Sequence, residues 1–198
     1  MRIAFDLDCV CINTTERLVE YINERLPVNL KMEDITTYSI EAALPEQYQW
    51  IVEAGFRDSI MWKGIKVLPF CPEVIDQLYN EGHEIFFATS SLPQNLRKKI
   101  NHLARNLHLP EGYVERHTIN IRDKYLLNVD ILVDDCADHI AHPEKKYYGI
   151  VLDYPWNRGE DVDKTPCTTR AFGWCSILEK IHMIERLLKE NDNDDVSP

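Results

Sequence analysis

Short apolar runs that end in polar residues constrain this chain more than any other feature. Ile3-Ala4-Phe5 runs into Asp6-Leu7-Asp8, Ile85-Phe86-Phe87-Ala88 into Thr89-Ser90-Ser91, and Ile131-Leu132-Val133 into Asp134-Asp135. Thr118-Ile119-Asn120-Ile121 and Tyr148-Gly149-Ile150-Val151-Leu152 read as further short strands. Runs that do not alternate apolar with polar are strands covered on both faces. Helical periodicity separates them. Asn13 or Thr14 caps a helix carrying Leu18, Val19, Tyr21, Ile22 and Leu26, and Gly82 closes one carrying Val74, Ile75, Leu78 and Tyr79. Helices are also expected from Pro93 to Leu107 and from Ser176 to Lys189. Strands alternating with helices imply an α/β fold around a parallel sheet. Such sheets bind ligands beyond the carboxyl ends of their strands. Asp6 and Asp8, Thr89 and Ser90, Asn120 to Lys124, and Asp134 and Asp135 are therefore expected to converge.

The stretch from Leu26 to Leu68 contains no convincing strand. It is helical and aromatic (Tyr38, Tyr48, Trp50, Phe56, Trp62), with breaks expected at Pro45 and Gly55. It has no place in the sheet and is expected above the site as a cap. The organisation is then a core of 1–15 and 70–190, a helical cap of 16–69, and a disordered tail of 191–198.

Charge narrows the ligand. The 198 residues carry 22 Lys plus Arg against 33 Asp plus Glu, a formal charge of −11. A surface that acidic repels a phosphate polymer, so no long nucleic acid is expected. A small phosphorylated ligand held by a few local cations or a metal is compatible. No apolar run reaches the ~20 residues of a membrane helix, and the N-terminus meets Asp6 too soon for a secretory signal. Six scattered cysteines read as reduced thiols of a cytoplasmic protein, and Cys9-x-Cys11 lacks zinc spacing. His139 and His142 read as exposed, and Trp156 and Trp174 as packing.

Carboxylates crowded at one sheet edge need a cation, and an all-oxygen set suits Mg²⁺. Thr89 and Lys124 add a hydroxyl and a positive charge for phosphoryl oxygens. Such a site is equipped for phosphoryl transfer. Asp6 can attack phosphorus as a carboxylate nucleophile. Asp8, two residues on, can protonate the leaving oxygen.

Asp6-Leu7-Asp8-Cys9-Val10, Thr89, Lys124 and Asp134-Asp135, in that order, resemble the four motifs of the haloacid dehalogenase (HAD) superfamily. Within it the chain resembles the 5′(3′)-deoxyribonucleotidase family. The resemblance rests on Arg122-Asp123-Lys124 ten residues before the aspartate pair, on Gly55-Phe56 upstream of Met61-Trp62-Lys63 and Leu68-Pro69, on Leu152 to Arg158, and on Phe172-Gly173-Trp174. It implies a three-layer, Rossmann-like parallel sheet with a small helical cap between the first and second motifs. It also implies a Mg²⁺-dependent phosphatase that hydrolyses (deoxy)nucleoside monophosphates through an aspartyl phosphate. Asp6 would be nucleophile and metal ligand. Asp8 would be acid/base and offer its carbonyl to the metal. Thr89, Ser90 and Lys124 would bind phosphate. Asp135 would be the side-chain metal ligand of the late pair, with Asp134 supporting it. Met61, Trp62 and Lys63 would meet the nucleoside. A homodimer is compatible with this reading.

The chain departs from the pattern at Cys9, where glycine is usual, and at Asn13, where aspartate is common. After Thr89-Ser90 it lacks the basic residue some relatives carry, and Arg97 or Lys98 is the substitute the next helix offers. Three other readings stay open at this stage: a phosphatase for another small phosphate or a 3′-phosphorylated nucleic-acid end, a nucleotide-binding protein without hydrolysis, and a signal receiver domain. The receiver fits less well, because its phosphoacceptor lies mid-chain.

Overall fold

The computed structural model describes residues 1–159 and 162–194. In chain order the elements are β1 (Arg2–Asp6), α1 (Thr14–Asn23), α2 (Trp50–Arg57), α3 (Ser59–Lys63), α4 (Cys71–Asn80), β2 (Glu84–Thr89) and α5 (Pro93–Asn106). There follow α6 (Tyr113–Arg116), β3 (Thr118–Asn120), β4 (Ile131–Asp134), α7 (Ala137–Ile140), β5 (Tyr148–Leu152), β6 (Thr168–Ala171) and α8 (Trp174–Asp194).

The six strands form one parallel sheet in the order β3-β2-β1-β4-β5-β6. Neighbouring residues of one strand serve opposite faces, which is why the strands read as unbroken apolar runs. Ile3, Phe5, Phe87, Ile131 and Val133 join the core shared with α1, α4 and α8. Ala4, Ala88, Leu132 and Val151 face the other way, onto Ala137 and Ile140 of α7 and onto Tyr147. Each fully buried aliphatic or aromatic side chain here contributes about 1.5–3 kcal/mol. Both faces are therefore covered, giving the three layers expected.

The strand order reverses between β1 and β4, which creates the crevice where such sheets bind ligands. Phe5 pairs with Val133, so Asp6 and Asp134 stand one register step further at the carboxyl end of neighbouring strands.

The helical segment leaves and re-enters the sheet through two passages that run side by side. Ile12 bridges Val67 antiparallel, the Asn13 N–H bonds the Lys66 carbonyl at 3.0 Å, and the Leu68 N–H bonds the Cys11 carbonyl at 2.9 Å. Asn13 sits at the cap position of α1, but its side chain accepts from the Lys66 N–H at 2.7 Å and does not cap the helix.

Three expectations are corrected. A sixth strand, β6, exists; its Thr168-Thr169-Arg170-Ala171 sequence is largely half-buried at the sheet edge and gives no apolar signal. Gly55 does not break the helix but lies inside α2. It is there for closeness, because a Cβ would come within 2.6 Å of Leu18 Cδ1. The last helix is longer than expected, Trp174–Asp194. It carries the backbone of 191–194, while 195–198 lie outside the described residues.

Candidate active site

Four chain segments meet at the crevice. β1 delivers Asp6, β2 delivers Thr89, the turn after β3 delivers Lys124, and β4 delivers Asp134 followed by Asp135. All five side chains are buried. One carboxylate oxygen from each of Asp6, Asp134 and Asp135 lies within 4.8 Å of the other two. The carboxyl ends of β1 and β4 therefore meet at one point.

Lys124 is inserted into this group. Its Nζ donates to Asp6 Oδ1 at 2.5 Å and to Asp134 Oδ2 at 2.6 Å. Burial disfavours a charged lysine, but Asp134 and Asp6 more than offset that and raise its pKa. Asp134 is fully engaged. Its Oδ1 accepts from the Cys136 N–H at 2.9 Å, and its Oδ2 also lies 3.0 Å from His139 Nδ1. Burial works against its charge, yet Lys124 and His139 hold it down to about 2. Asp6 behaves differently: burial pushes its pKa up to about 7 despite Lys124. Burial and the neighbouring carboxylates also raise Asp135. Asp134 takes both Lys124 and His139, and the raised pKa values of Asp6 and Asp135 mark those two carboxyls as short of positive charge. All donors of the trio are hard oxygens, the set a divalent cation of the Mg²⁺ and Ca²⁺ class takes. The trio has the geometry and donors to hold a divalent metal.

Asp8 stands apart from the trio and is partly exposed. Thr14 Oγ1 donates to its Oδ1 at 2.6 Å. Lys99 Nζ bonds its Oδ2, bonds Ser91 Oγ, and reaches Thr89 Oγ1 at 3.4 Å. Lys99 is buried and was missed in the sequence. The expectation that Arg97 or Lys98 supplies the basic residue of α5 is corrected to Lys99. A signal existed: Asn95, Lys99 and Leu103 recur at four-residue spacing on the buried face of α5. The Ser91 turn is fixed from β3, since its N–H bonds Asn120 Oδ1 at 2.9 Å and its carbonyl accepts from Asn120 Nδ2 at 3.1 Å.

Cys9 adopts the left-handed conformation (φ 60°) that glycine usually supplies. Its N–H bonds the Ile12 carbonyl at 2.8 Å and its Sγ sits 3.0 Å from Thr15 Oγ1. The turn that carries Asp8 is therefore formed without glycine.

Two further readings change. His139 is not simply exposed; it is half-buried against Asp134, and that bond raises its pKa to about 10 although burial alone would lower it. Trp156 does more than pack: its Nε1 donates to Asp135 Oδ2 at 3.1 Å. Trp174 does pack, 5.1 Å from the Phe5 ring, with its Nε1 on the Val10 carbonyl.

A cavity of about 500 Å³ opens over Asp8 and Asp135. Its walls include Ile35, Ile40, Phe56 and Trp62 from the helical segment, and Ser90 and Asn95 from the β2 side. Of the three residues expected at the nucleoside, Trp62 lines it. Met61 is wholly buried, with its carbonyl bound by Arg17 Nε at 3.2 Å, and Lys63 is exposed; neither lines the cavity. Trp62 Nε1 donates to the Phe56 carbonyl at 2.9 Å, which fixes its ring.

Comparison with known proteins agrees with this geometry. The family model described as "5′ nucleotidase, deoxy (Pyrimidine), cytosolic type C protein" matches residues 1–187. A Staphylococcus epidermidis protein named "Putative 5′(3′)-deoxyribonucleotidase" is 28% identical over 187 residues, covering 93% of this chain and 98% of its own. The fold is shared with a HAD family hydrolase from Deinococcus radiodurans R1, solved with bound phosphate and sodium (TM-score 0.60, 12% identity, 93% of this chain and 96% of that one). It is also shared with a hydrolase from Pseudomonas syringae (TM-score 0.59, 13% identity, 93% and 99%).

Proposed function

The chain belongs to the cytosolic type C family of 5′ (deoxy, pyrimidine) nucleotidases, and we propose that it hydrolyses (deoxy)nucleoside monophosphates with Mg²⁺ through a phosphorylated Asp6. As a HAD-type nucleotidase it is a phosphoric monoester hydrolase. The observation that carries the finer reading is the buried Asp6, Asp134, Asp135 and Lys124 cluster, which meets a cavity walled in part by Phe56 and Trp62 at Asp135.

Asp6, Asp135 and the Asp8 carbonyl would hold Mg²⁺. Asp134, with both oxygens occupied by Lys124, Cys136 and His139, orients its neighbours. Bound there, Mg²⁺ would supply positive charge to the phosphoryl oxygens and ease their repulsion from the carboxylates. Thr89, Ser90 and Lys124 bind the remaining phosphoryl oxygens.

An Asp6 carboxylate oxygen attacks phosphorus, the bond from phosphorus to the sugar oxygen breaks, and Asp8 gives its proton to that oxygen. Asp8 then takes a proton from water as the water attacks the phosphorus on Asp6, releasing inorganic phosphate and free Asp6. Positioned acid catalysis of this kind contributes typically 10²–10⁴-fold. The helical segment over 16–69 acts as the cap, and its aromatic wall takes the nucleoside. No helix among the described residues is long and apolar enough to cross a membrane, and the six free cysteines fit a reducing cytoplasm.

The test is a phosphate-release panel over deoxy- and ribonucleoside monophosphates, with Mg²⁺ and with chelator. Turnover of dUMP or dTMP that stops on chelation supports the reading. Turnover confined to a 3′-phosphorylated strand end overturns it.

A further inference from the structure

One polar atom at the cavity wall is buried with its hydrogen bond unmade. Asn95 is buried in the first turn of α5 and lines the cavity wall. Its Nδ2 donates to the Phe56 carbonyl at 2.9 Å, and a carbonyl accepts only from the amide's NH₂ side, which fixes the orientation of the group. Its Oδ1 therefore faces away from Phe56, and it is buried without a hydrogen-bond partner. An unsatisfied buried acceptor costs about 1–3 kcal/mol, so a site that retains one is shaped for a donor it meets only when filled.

The position of Asn95 says which donor. Lys99, one helical turn on, touches Asp8, Thr89 and Ser91 at the phosphate end. Residues four apart on a helix are separated by about 5–6 Å between Cβ atoms. Asn95 thus stands one turn from the phosphate end, next to the aromatic wall, since Trp62 Nε1 and Asn95 Nδ2 share the Phe56 carbonyl. In a nucleoside monophosphate the group about one turn from phosphorus is the sugar, with the base beyond it.

We propose that Asn95 is a specificity-determining residue whose Oδ1 accepts a hydrogen bond from the free sugar hydroxyl of the nucleotide. This rests on the nucleotidase reading above. Because the Asn95 amide is locked, the site offers an acceptor there and discriminates against a sugar that lacks the hydroxyl. Sites that bond a substrate hydroxyl reject the analogue without it far more strongly than apolar pockets reject a missing methylene.

The experiment compares kcat/KM for dTMP with 2′,3′-dideoxythymidine 5′-monophosphate and with N3-methyl-dTMP, in wild type, Asn95→Leu and Asn95→Ser. The wild type is expected to favour dTMP over the dideoxy analogue by about tenfold or more, and both variants to bring that ratio close to one. Each ratio is taken within one protein, so loss of the Phe56 contact or of folded protein cancels. A dideoxy ratio that is absent in wild type, or unchanged in the variants, overturns the proposal. So does a variant that abolishes discrimination against the N3-methyl base instead, because Asn95 would then read the base. Absence of dTMP turnover in wild type is a separate result and defeats the nucleotidase reading itself.

Discussion

Lys99 bonds the Asp8 carboxylate from 91 positions away in sequence, and the same ammonium group holds the Ser91 hydroxyl. The proposed acid and the turn proposed to bind phosphate are thus joined by one buried lysine. Replacing it with methionine removes the restraint on one Asp8 oxygen and leaves only Thr14 on the other. Lys99→Met is expected to lower turnover of a nucleotide, whose sugar oxygen must be protonated, by about 10²-fold. Turnover of p-nitrophenyl phosphate, whose leaving group needs no proton, should fall much less. Equal losses on both substrates would place Lys99 outside proton delivery.

Trp156 fixes Asp135 by a single N–H. Groups that orient metal ligands from behind typically change affinity 10–100-fold when removed. Trp156→Phe should raise the Mg²⁺ concentration for half-maximal activity about tenfold and leave kcat at saturating Mg²⁺ near wild type. A Mg²⁺ titration checks it; an unchanged midpoint contradicts it.

His139 stabilises Asp134 as a cation. Its folded pKa of about 10 stands above the unfolded value of about 6.5. The stabilisation is therefore complete below pH 6.5 and is lost as pH rises through 10. In chelator, the melting temperature of wild type should exceed that of His139→Gln by most near pH 6, with the gap closing toward pH 10. Melting curves across that range measure it, and a gap that widens with pH would reverse the assignment.

Lys124 bridges Asp6 and Asp134. Removing one partner of a buried ion pair costs about 3–5 kcal/mol, so Lys124→Met should melt well below wild type in chelator. Mg²⁺, supplying positive charge at the same carboxylates, should recover more of the loss in the variant than it adds to wild type. Equal gains from Mg²⁺ in both proteins would count against the shared site.

The sequence displayed the sheet and the carboxylates because one cause produces both signals. A strand buried on two faces must be apolar, and its first polar residues mark where it leaves the core. Asp6, Thr89 and Asp134 are visible for that reason. Strand β6 is not, because Thr168-Thr169-Arg170 lies half-buried at the edge and carries no apolar pattern. Lys99 sits beside Arg97 and Lys98, and composition cannot rank three cations in a row; only the phase of α5 separates them. Gly55 reads as a breaker but is a contact point for Leu18 and Tyr21, a tertiary cause that local sequence does not carry. His139 and Trp156 act on Asp134 and Asp135 through folded geometry alone. Among the residues expected at the nucleoside, Trp62 reaches the cavity while Met61 turns into the core, a difference that depends on how α3 is rotated.

A phosphoryl group on Asp6 is the intermediate that every proposed step passes through. The most direct measurement is acid quenching of wild type and Asp6→Asn during turnover of a nucleoside monophosphate with Mg²⁺, followed by peptide mass analysis. One added phosphoryl group is expected on the wild-type peptide containing Asp6 and none in the variant, which also releases no phosphate. Steady phosphate release by Asp6→Asn, or a phosphoryl group on any other residue, would contradict that intermediate.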